Sequence, residues 1–229
     1  MNIIIQGFNS LIYKPLLGFL VFIYNILPYQ DFGLAVIVLT IIVRLLLLPS
    51  SIHALKAQKS LSALQPEIEK IQERYKQDKE KQAKEVFALY QKHKVNPFGS
   101  ILSLFIQIPV LLGIYRVFLN GFQNYNYIFL GVFDLSKPNL YLAVLVAISQ
   151  FVQSKTMFGS QDTAMAGKNK EFQRIFQKQM IYFLPLFTFF ILLKLPSVIA
   201  LYFLVSNIFT IFQQYFILKD EKKYGPKTN

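Results

Sequence analysis

The sequence predicts an all-α integral membrane protein with five transmembrane helices, an N-terminal interfacial helix and a cytoplasmic helical hairpin. Of its 229 residues, 54% are hydrophobic and only 16% are charged, whereas a soluble domain carries about 25% charged residues. The apolar residues form five continuous runs of the length that a membrane-spanning helix needs, about 20 residues. Because the runs do not alternate with polar residues, helices are favoured over the strands of a membrane barrel.

The same composition excludes several other classes of protein. A disordered chain has low hydrophobicity, which this chain does not have. There is no cysteine, so a disulfide framework, a thiol nucleophile and a cysteine metal site are all excluded.

The predicted segments follow one another with short connections, apart from one long polar insertion. In order they are the interfacial helix 1–33, first span 34–52, cytoplasmic hairpin 53–97, second span 98–118, outer loop 119–137, third span 138–156, cytoplasmic loop 157–176, fourth span 177–193, outer turn 194–196, fifth span 197–217 and cytoplasmic tail 218–229.

The N-terminal segment is apolar only over 16–27, which is too short to span a bilayer. Gln6, Asn9 and Lys14 interrupt any longer run. We therefore expect a helix that lies in the membrane interface. A sixth span is the alternative.

Positive charges predict the orientation. Of the 24 Lys and Arg residues, 19 fall in the hairpin, in the C-terminal tail, and in the connection between spans three and four counted with Lys155 and Lys178 at the adjoining span ends. Because positive residues are retained on the cytoplasmic side, the N-terminus is expected outside and the C-terminus in the cytoplasm of a bacterial cytoplasmic membrane.

The polar insertion 53–97 has the periodicity of a two-helix coiled coil. The apolar seam of the first arm is formed by Leu61, Leu64, Ile68, Ile71 and Tyr75. The second arm carries a comparable stripe of Ala83, Val86 or Phe87, and Tyr90. The hairpin contains ten basic and six acidic residues, so it is expected to be attracted to anionic lipids. A solvated hairpin that lies along the membrane and has no specific function is the alternative interpretation, since attraction to anionic lipids would by itself explain its charge.

Arg44 lies within the first span, where a charged side chain costs about 2.5–3.5 kcal/mol on insertion scales. All twelve acidic residues lie outside the five spans, so no intramembrane carboxylate can neutralise it. Arg44 is therefore expected to face water, lipid phosphate or neutral polar groups.

Neutral polar residues in the spans predict a water-filled cavity that opens to the cytoplasm and is closed outside. Most lie at mid-depth or in the cytoplasmic half of their span. The predicted groove residues are Arg44, Thr40, Ser103, Gln107, Gln150, Gln153, Asn207, Thr210 and Gln214. Hydrogen bonding between helices is the alternative explanation for each Ser, Thr or Gln.

No nucleotide loop, zinc-protease motif or nucleophile elbow is present, and His53 and His93 are expected to be ordinary surface residues. We therefore expect a protein that is not an enzyme and that has no cofactor.

Three stretches resemble the YidC family of membrane protein insertases. Gly33 to Pro49 is similar to that family's first core span, and Gln65 to Gln72 to its cytoplasmic hairpin. Asn96-Pro97 followed by Phe105 to Tyr115 resembles its second span, and this is the most specific match.

The resemblance implies that Arg44 is the groove arginine, that Gln107 lines the groove, and that the protein inserts nascent membrane proteins alone or with the Sec translocon. It also implies contact with the ribosome through the hairpin and the short basic tail, without recognition of a nucleic-acid sequence. A small transporter or anion channel that uses Arg44 as its substrate site is the rival interpretation, although the chain shows no internal repeat of the kind common in transporters.

Overall fold

A computed structural model of the chain describes residues 6–93, 95, 112–116, 126–158 and 179–219. The described part is mainly helical. Its elements are α1 Lys14–Ile26, α2 Phe32–Leu46, α3 Leu48–Arg74, α4 Lys79–Lys92, α5 Leu140–Phe158, α6 Leu184–Leu192 and α7 Ser197–Lys219, with a two-stranded antiparallel sheet of β1 Ile128–Phe129 and β2 Phe133–Asp134.

Within the described ranges, two helices are individually long and apolar enough to cross a membrane, Gln6–Ile26 and Ser197–Ile217. The apolar helices Leu140–Thr156 and Ile181–Leu192 are shorter. Most of the predicted second span lies outside the described residues, which contain only its helical residues 112–116.

The predicted first span 34–52 is divided in the structure. Helix α2 ends at Leu46 and α3 begins at Leu48, and the two axes differ in direction by 60°. Pro49 lies in the first turn of α3. Because proline has no N–H and its ring clashes with the carbonyl four residues earlier, a straight helix cannot continue from Leu45 through this position.

Helices α3 and α4 are joined by a turn in which Asp78 caps α4 by accepting a hydrogen bond from the N–H of Lys81, at 2.9 Å. Leu64, Ile68 and Leu89 are buried between the two helices. The surrounding apolar side chains are Ile71, Val86, Tyr90 and Val95. Burial in this cluster raises the pKa of the Tyr90 phenol. Of the two alternatives that the sequence left open, Val86 packs in this cluster, whereas Phe87 is exposed.

The main core lies where α1, α2, α5 and α7 meet. Helix α7 packs against both α5 and α2, and α5 also contacts α6. The largest side chains that are fully buried include Tyr202 and Ile199 of α7, Phe32 of α2 and Val146 of α5. Helix α1 adds Leu20, Ile23 and Tyr24 to this core and leaves Phe19, Phe22 and Ile26 exposed.

Helices α2, α5 and α7 all begin at one end of the molecule, together with the segment 126–139, and we call this the helix-start end. The carboxylate of Asp31 accepts hydrogen bonds from the N–H groups of Leu34 (3.0 Å) and Leu130 (2.7 Å), so it joins the start of α2 to the sheet. The N–H groups of Ser197 and Val198, at the start of α7, donate to carbonyls of the same segment. Three helix starts are thus tied to one loop.

Candidate functional site

Arg44 lies in the last turn of α2, just before the bend, and its side chain is half-buried. The carbonyl groups at a helix C-terminus carry partial negative charge and stabilise a nearby cation by about 0.3–1 kcal/mol. The bend at Pro49 therefore reduces the cost of placing a guanidinium in an apolar segment.

Among the described residues, no carboxylate forms an ion pair with Arg44. Arg44 therefore has no neutralising anion within the part of the chain that is described.

A row of polar side chains lies on the second half of α7 and is turned toward the neighbouring helices. All five of its members are buried, and they are Ser206, Asn207, Thr210, Gln213 and Gln214. We call these residues the polar row. On α5, Ser149 and Ser154 are also buried, and on α2 Thr40 is completely buried.

Part of this polar surface is satisfied by hydrogen bonds between helices. The amide of Asn207 donates to the hydroxyl of Ser149 at 3.0 Å, which joins α7 to α5. The hydroxyl of Ser51 in α3 donates to the Gln213 side-chain carbonyl at 3.0 Å. Thr40 and Thr210 donate to the carbonyl four residues earlier in their own helix.

The rest of the polar surface is buried without a partner among the described residues. Gln214 is 3% exposed, yet neither its side-chain nitrogen nor its oxygen forms a hydrogen bond there. The Gln213 nitrogen, the Gln150 side-chain oxygen and the Ser206 hydroxyl are likewise unpartnered. Since a buried polar group without a hydrogen bond costs about 1–3 kcal/mol, these groups form a surface suited to water or to a polar ligand.

The arrangement offers no metal site, because the described residues contain no cluster of three or more His, Cys, Asp and Glu side chains. Its chemistry is that of a neutral amide and hydroxyl surface on α7, with the uncompensated cation Arg44 on the neighbouring helix α2. Such a surface can bind and solvate polar groups.

Comparison with known proteins identifies the family. The family described as 60Kd inner membrane protein matches residues 22–224. A membrane protein insertase YidC from Fusobacterium nucleatum subsp. nucleatum is 34% identical over 214 residues, which cover 92% of this chain and 98% of the relative. The chain belongs to the YidC family.

Other YidC relatives are longer than this chain. The membrane protein insertase YidC of Anaeromyxobacter dehalogenans is 35% identical over 84% of this chain but over only 34% of its own length. That of Wigglesworthia glossinidia brevipalpis is 32% identical over 96% of this chain and 39% of its own. The chain thus spans about a third of the length of these two relatives.

Membership of the YidC family confirms the recognition made from the sequence motifs, and the names of the relatives denote an insertase and not an enzyme. Together with the apolar helices, it also identifies a bacterial inner membrane protein.

The structure places the predicted groove residues in three groups. Arg44, Gln150 and Gln153 are half-buried, whereas Thr40, Asn207, Thr210 and Gln214 are buried. Ser103 and Gln107 lie outside the described residues.

Sequence reasoning left five polar residues of this surface out of the predicted set, namely Ser51, Ser149, Ser154, Ser206 and Gln213. All of these except Ser51 are polar residues inside the third and fifth predicted spans, so their burial could have been expected. Ser51 follows Pro49 at the edge of a span, and only the bend after α2 brings it to Gln213.

Proposed function

We propose that this protein inserts nascent membrane proteins into the bilayer through a hydrophilic groove formed by Arg44 and the polar row. The observation that carries this proposal is a half-buried arginine without a carboxylate partner in the described chain, on a helix that packs against α7, where buried amides have unused hydrogen-bonding groups. A stable structural core satisfies such groups, whereas a groove for a passing polar segment leaves them available.

The depths of these residues support a groove that enters from one side only. Asn207 and Arg44 lie about 15 and about 18 Å along their helix axes from the starts of α7 and α2, and Gln214 lies about 26 Å along. Polar groups thus begin near mid-depth of a hydrocarbon core about 30 Å thick and continue away from the helix-start end.

We propose that the helix-start end is extracytoplasmic, with the N-terminus outside and the C-terminus in the cytoplasm, because 19 of the 24 basic residues would then be cytoplasmic. Helix α1 meets this end where the Tyr24 ring lies against that of Phe32 at the start of α2. We propose that α1 lies in the interface there; a span formed by Gln6–Ile26, which is long and apolar enough to cross a membrane, is the alternative.

In this mechanism a hydrophilic segment of the substrate enters the groove and crosses only the remaining half of the bilayer. Arg44 and water lower the cost of removing that segment from bulk solvent. The adjoining apolar helix moves into lipid, and its burial drives insertion by about 0.8 kcal/mol per CH₂ group. A nucleotide is not required.

The partners that fit this role are nascent membrane proteins, the ribosome, the Sec translocon and anionic lipids. The hairpin formed by α3 and α4 would meet the ribosome and lipid headgroups, because its exposed surface carries many lysines, and the basic tail 218–229 would assist.

The test uses purified protein in ion-tight liposomes and two single-span substrates that differ only by Asp-to-Asn changes in the translocated tail. Arg44→Ala should reduce insertion of the acidic substrate about tenfold. A tenfold loss corresponds to less free energy than the roughly 4 kcal/mol that an arginine and a carboxylate 4 Å apart can gain at an effective dielectric of about 20. It should spare the neutral substrate. Arg44→Lys should retain most activity, and Arg44→Glu should be worse than Arg44→Ala for the acidic substrate.

Arg116→Ala is the matched control, because it removes a cation that is bound to Asn9 and stacked on Tyr13, away from the polar row. It should not distinguish the two substrates. Equal loss of both substrates in Arg44→Ala, or loss of folded protein in detergent, would mean that Arg44 is structural. Flux of a small anion through wild-type liposomes without a substrate protein would indicate a channel instead.

A further inference from the structure

The short sheet at the helix-start end presents an apolar tip to its surroundings. Residues 128–133 contain no charged or polar side chain. Leu130 and Val132 are 60% and 76% exposed, and Tyr29, in the turn joined to this sheet through Asp31, is 99% exposed. We call residues 128–133 and Tyr29 the apolar tip.

The backbone conformation of the apolar tip is one that large apolar side chains rarely adopt. Leu130 and Gly131 both have positive φ, as in the type I′ turns that close hairpins, and Val132 N–H donates to the carbonyl of Phe129. Such turns favour Asn-Gly or Gly-Gly, and a leucine in the left-handed region costs free energy. Tyr29 also has positive φ. Two large, exposed side chains thus occupy positions where small or polar residues would cost less.

The apolar tip is held in a defined position. Asp31 binds the N–H of Leu130, and the ring of Tyr127 packs edge-on against Phe32 with centroids 5.2 Å apart. The Phe129 ring lies directly over Gly33, where a Cβ atom would overlap it. The tip is therefore fixed to the ends of the membrane helices and presented from there.

The position of the apolar tip limits what can cover it. It adjoins the starts of α2, α5 and α7, where the molecule passes from the membrane into water. Tyr29 comes three residues after Ile26, the last residue of α1, which is exposed together with Phe22. Asp31 next to this turn is buried, and the charged side chains that follow residue 133 are Asp134 and Lys137, which pair with each other at 3.0 Å. An exposed uncharged surface that follows the exposed apolar side chains of α1 and is bordered by an ion pair matches the boundary between lipid headgroups and acyl chains.

We propose that the apolar tip is a membrane anchor: Tyr29, Leu130 and Val132 insert into the interfacial lipid at the helix-start end and hold the three helix starts at a fixed depth. The ligand is the zwitterionic lipid surface itself, since the tip has no charge with which to select an anionic headgroup. This inference does not depend on the proposed insertase activity.

The first experiment uses the absence of tryptophan from the chain. Full-length Tyr29→Trp and Val132→Trp are placed in phosphatidylcholine vesicles at low protein density and quenched with iodide from the water or with lipid brominated near the headgroup. Glu85→Trp, at an exposed site on α4, is the wet control, and Phe212→Trp, at an exposed site on α7, is the lipid control.

Both anchor variants should emit at shorter wavelength than Glu85→Trp. Brominated lipid should quench them at least about twice as strongly as it quenches Glu85→Trp, as expected for side chains about 5–10 Å into the interface. Iodide quenching equal to that of Glu85→Trp would overturn the proposal. A blue shift that needs high protein density and resists both quenchers would indicate a second copy of the chain and would also overturn it.

A second experiment avoids tryptophan's own affinity for interfaces. The chain has no cysteine, so Val132→Cys and Lys137→Cys can be compared with an impermeant thiol reagent present on both sides of the vesicles. Val132→Cys should react about tenfold or more slowly, because acyl chains exclude the charged reagent. The two rates should become equal after unfolding in sodium dodecyl sulfate. Equal rates in vesicles would overturn the anchor.

Discussion

The helix-start end and the polar row differ in the hydrogen bonding of their buried polar groups. At the helix-start end, the Asp31 carboxylate receives two backbone N–H groups, and the N–H groups that begin α7 reach carbonyls of the segment 126–139. In the polar row, Gln214 is more fully buried than Asp31 and yet makes no hydrogen bond within the structure. Satisfied polar groups hold a structure in one arrangement, whereas unsatisfied ones cost stability. The comparison therefore separates two parts of the molecule. The helix-start end holds the helix starts together, which we call closure, and the polar row leaves polar groups available for ligands.

The largest effect is expected from removing the Asp31 carboxylate. Asp31→Ala leaves the N–H groups of Leu34 and Leu130 without their acceptor and should lower the free energy of unfolding by about 2–3 kcal/mol. Asp31→Asn keeps one side-chain oxygen and should cost about half as much. Asp78→Ala removes a cap that serves only Lys81 of α4, and it should cost less than Asp31→Ala. Chemical unfolding in mixed micelles measures all three variants, and similar losses for Asp31→Ala and Asp78→Ala would contradict the closure role.

A second way to test closure is to disturb the contact between the sheet and α2. Gly33→Val should cost about 1–3 kcal/mol by overpacking, because atoms of the Phe129 side chain, including its Cβ, occupy the space that the new side chain needs. Gly18→Ala is the matched control, since nothing lies within 4 Å of the new Cβ; within α1 it should be neutral or stabilising. Thermal unfolding of both variants in the same detergent provides the comparison. Equal midpoints would show that the sheet does not rest firmly on α2.

In the polar row, replacing a side chain that has no partner should not lower the free energy of unfolding, whereas replacing one that is hydrogen-bonded should. Gln214→Leu removes two unpartnered buried groups, so we expect stability to be unchanged or increased by about 1 kcal/mol. Asn207→Leu breaks the bond to Ser149 and should cost about 0.6 kcal/mol. If the proposed groove is correct, both variants should lose insertion activity, and Gln214→Leu should do so without any loss of stability. A clear destabilisation by Gln214→Leu would show that its amide is part of the structural core.

The smallest effect concerns the ion pair that borders the apolar tip. Hydrogen bonds from Ser136, with Lys137 nearby, lower the pKa of Asp134 below its usual value. A carboxyl group whose pKa is lower in the folded state stabilises the fold above its unfolded pKa of about 3.9, and that contribution is lost as the pH falls through the folded pKa. Because the Asp134 side chain is 40% exposed, solvent screens its interactions and the effect should be small. Unfolding measured from about pH 7 to about pH 3 should show a slightly weaker dependence on pH in Asp134→Asn.

The comparison also shows how far the sequence predicted the site. Thr40 and Arg44 are four residues apart on α2, and Asn207, Thr210 and Gln214 lie on one face of α7, so helical spacing was enough to group them. Spacing could not show which of these side chains form hydrogen bonds. Thr210 donates to a carbonyl of its own helix, Asn207 donates to Ser149 of α5, and Gln214 forms no hydrogen bond with the described residues.

In the polar insertion, the seam Leu64, Ile68 and Ile71 followed from periodicity, but Leu89 did not. The second arm is rotated so that Leu89 and Val86 face α3 while Phe87 remains exposed. This rotation depends on the turn before α4 and on contacts made by both helices, and a single helix pattern contains neither.

By itself, the sequence determined the membrane character of the chain, its family, the absence of acids from the spans and the uneven distribution of positive charge. These properties depend on local composition and, for the family, on short motifs, so they do not require the helices to be placed. Only the tertiary structure decided that the first predicted span bends by 60° after Leu46, that Ser51 then reaches Gln213, and that Asp31 joins the start of α2 to a sheet about one hundred residues later. Each of these contacts depends on the relative depth and rotation of separate elements, which are settled by packing all of them at once.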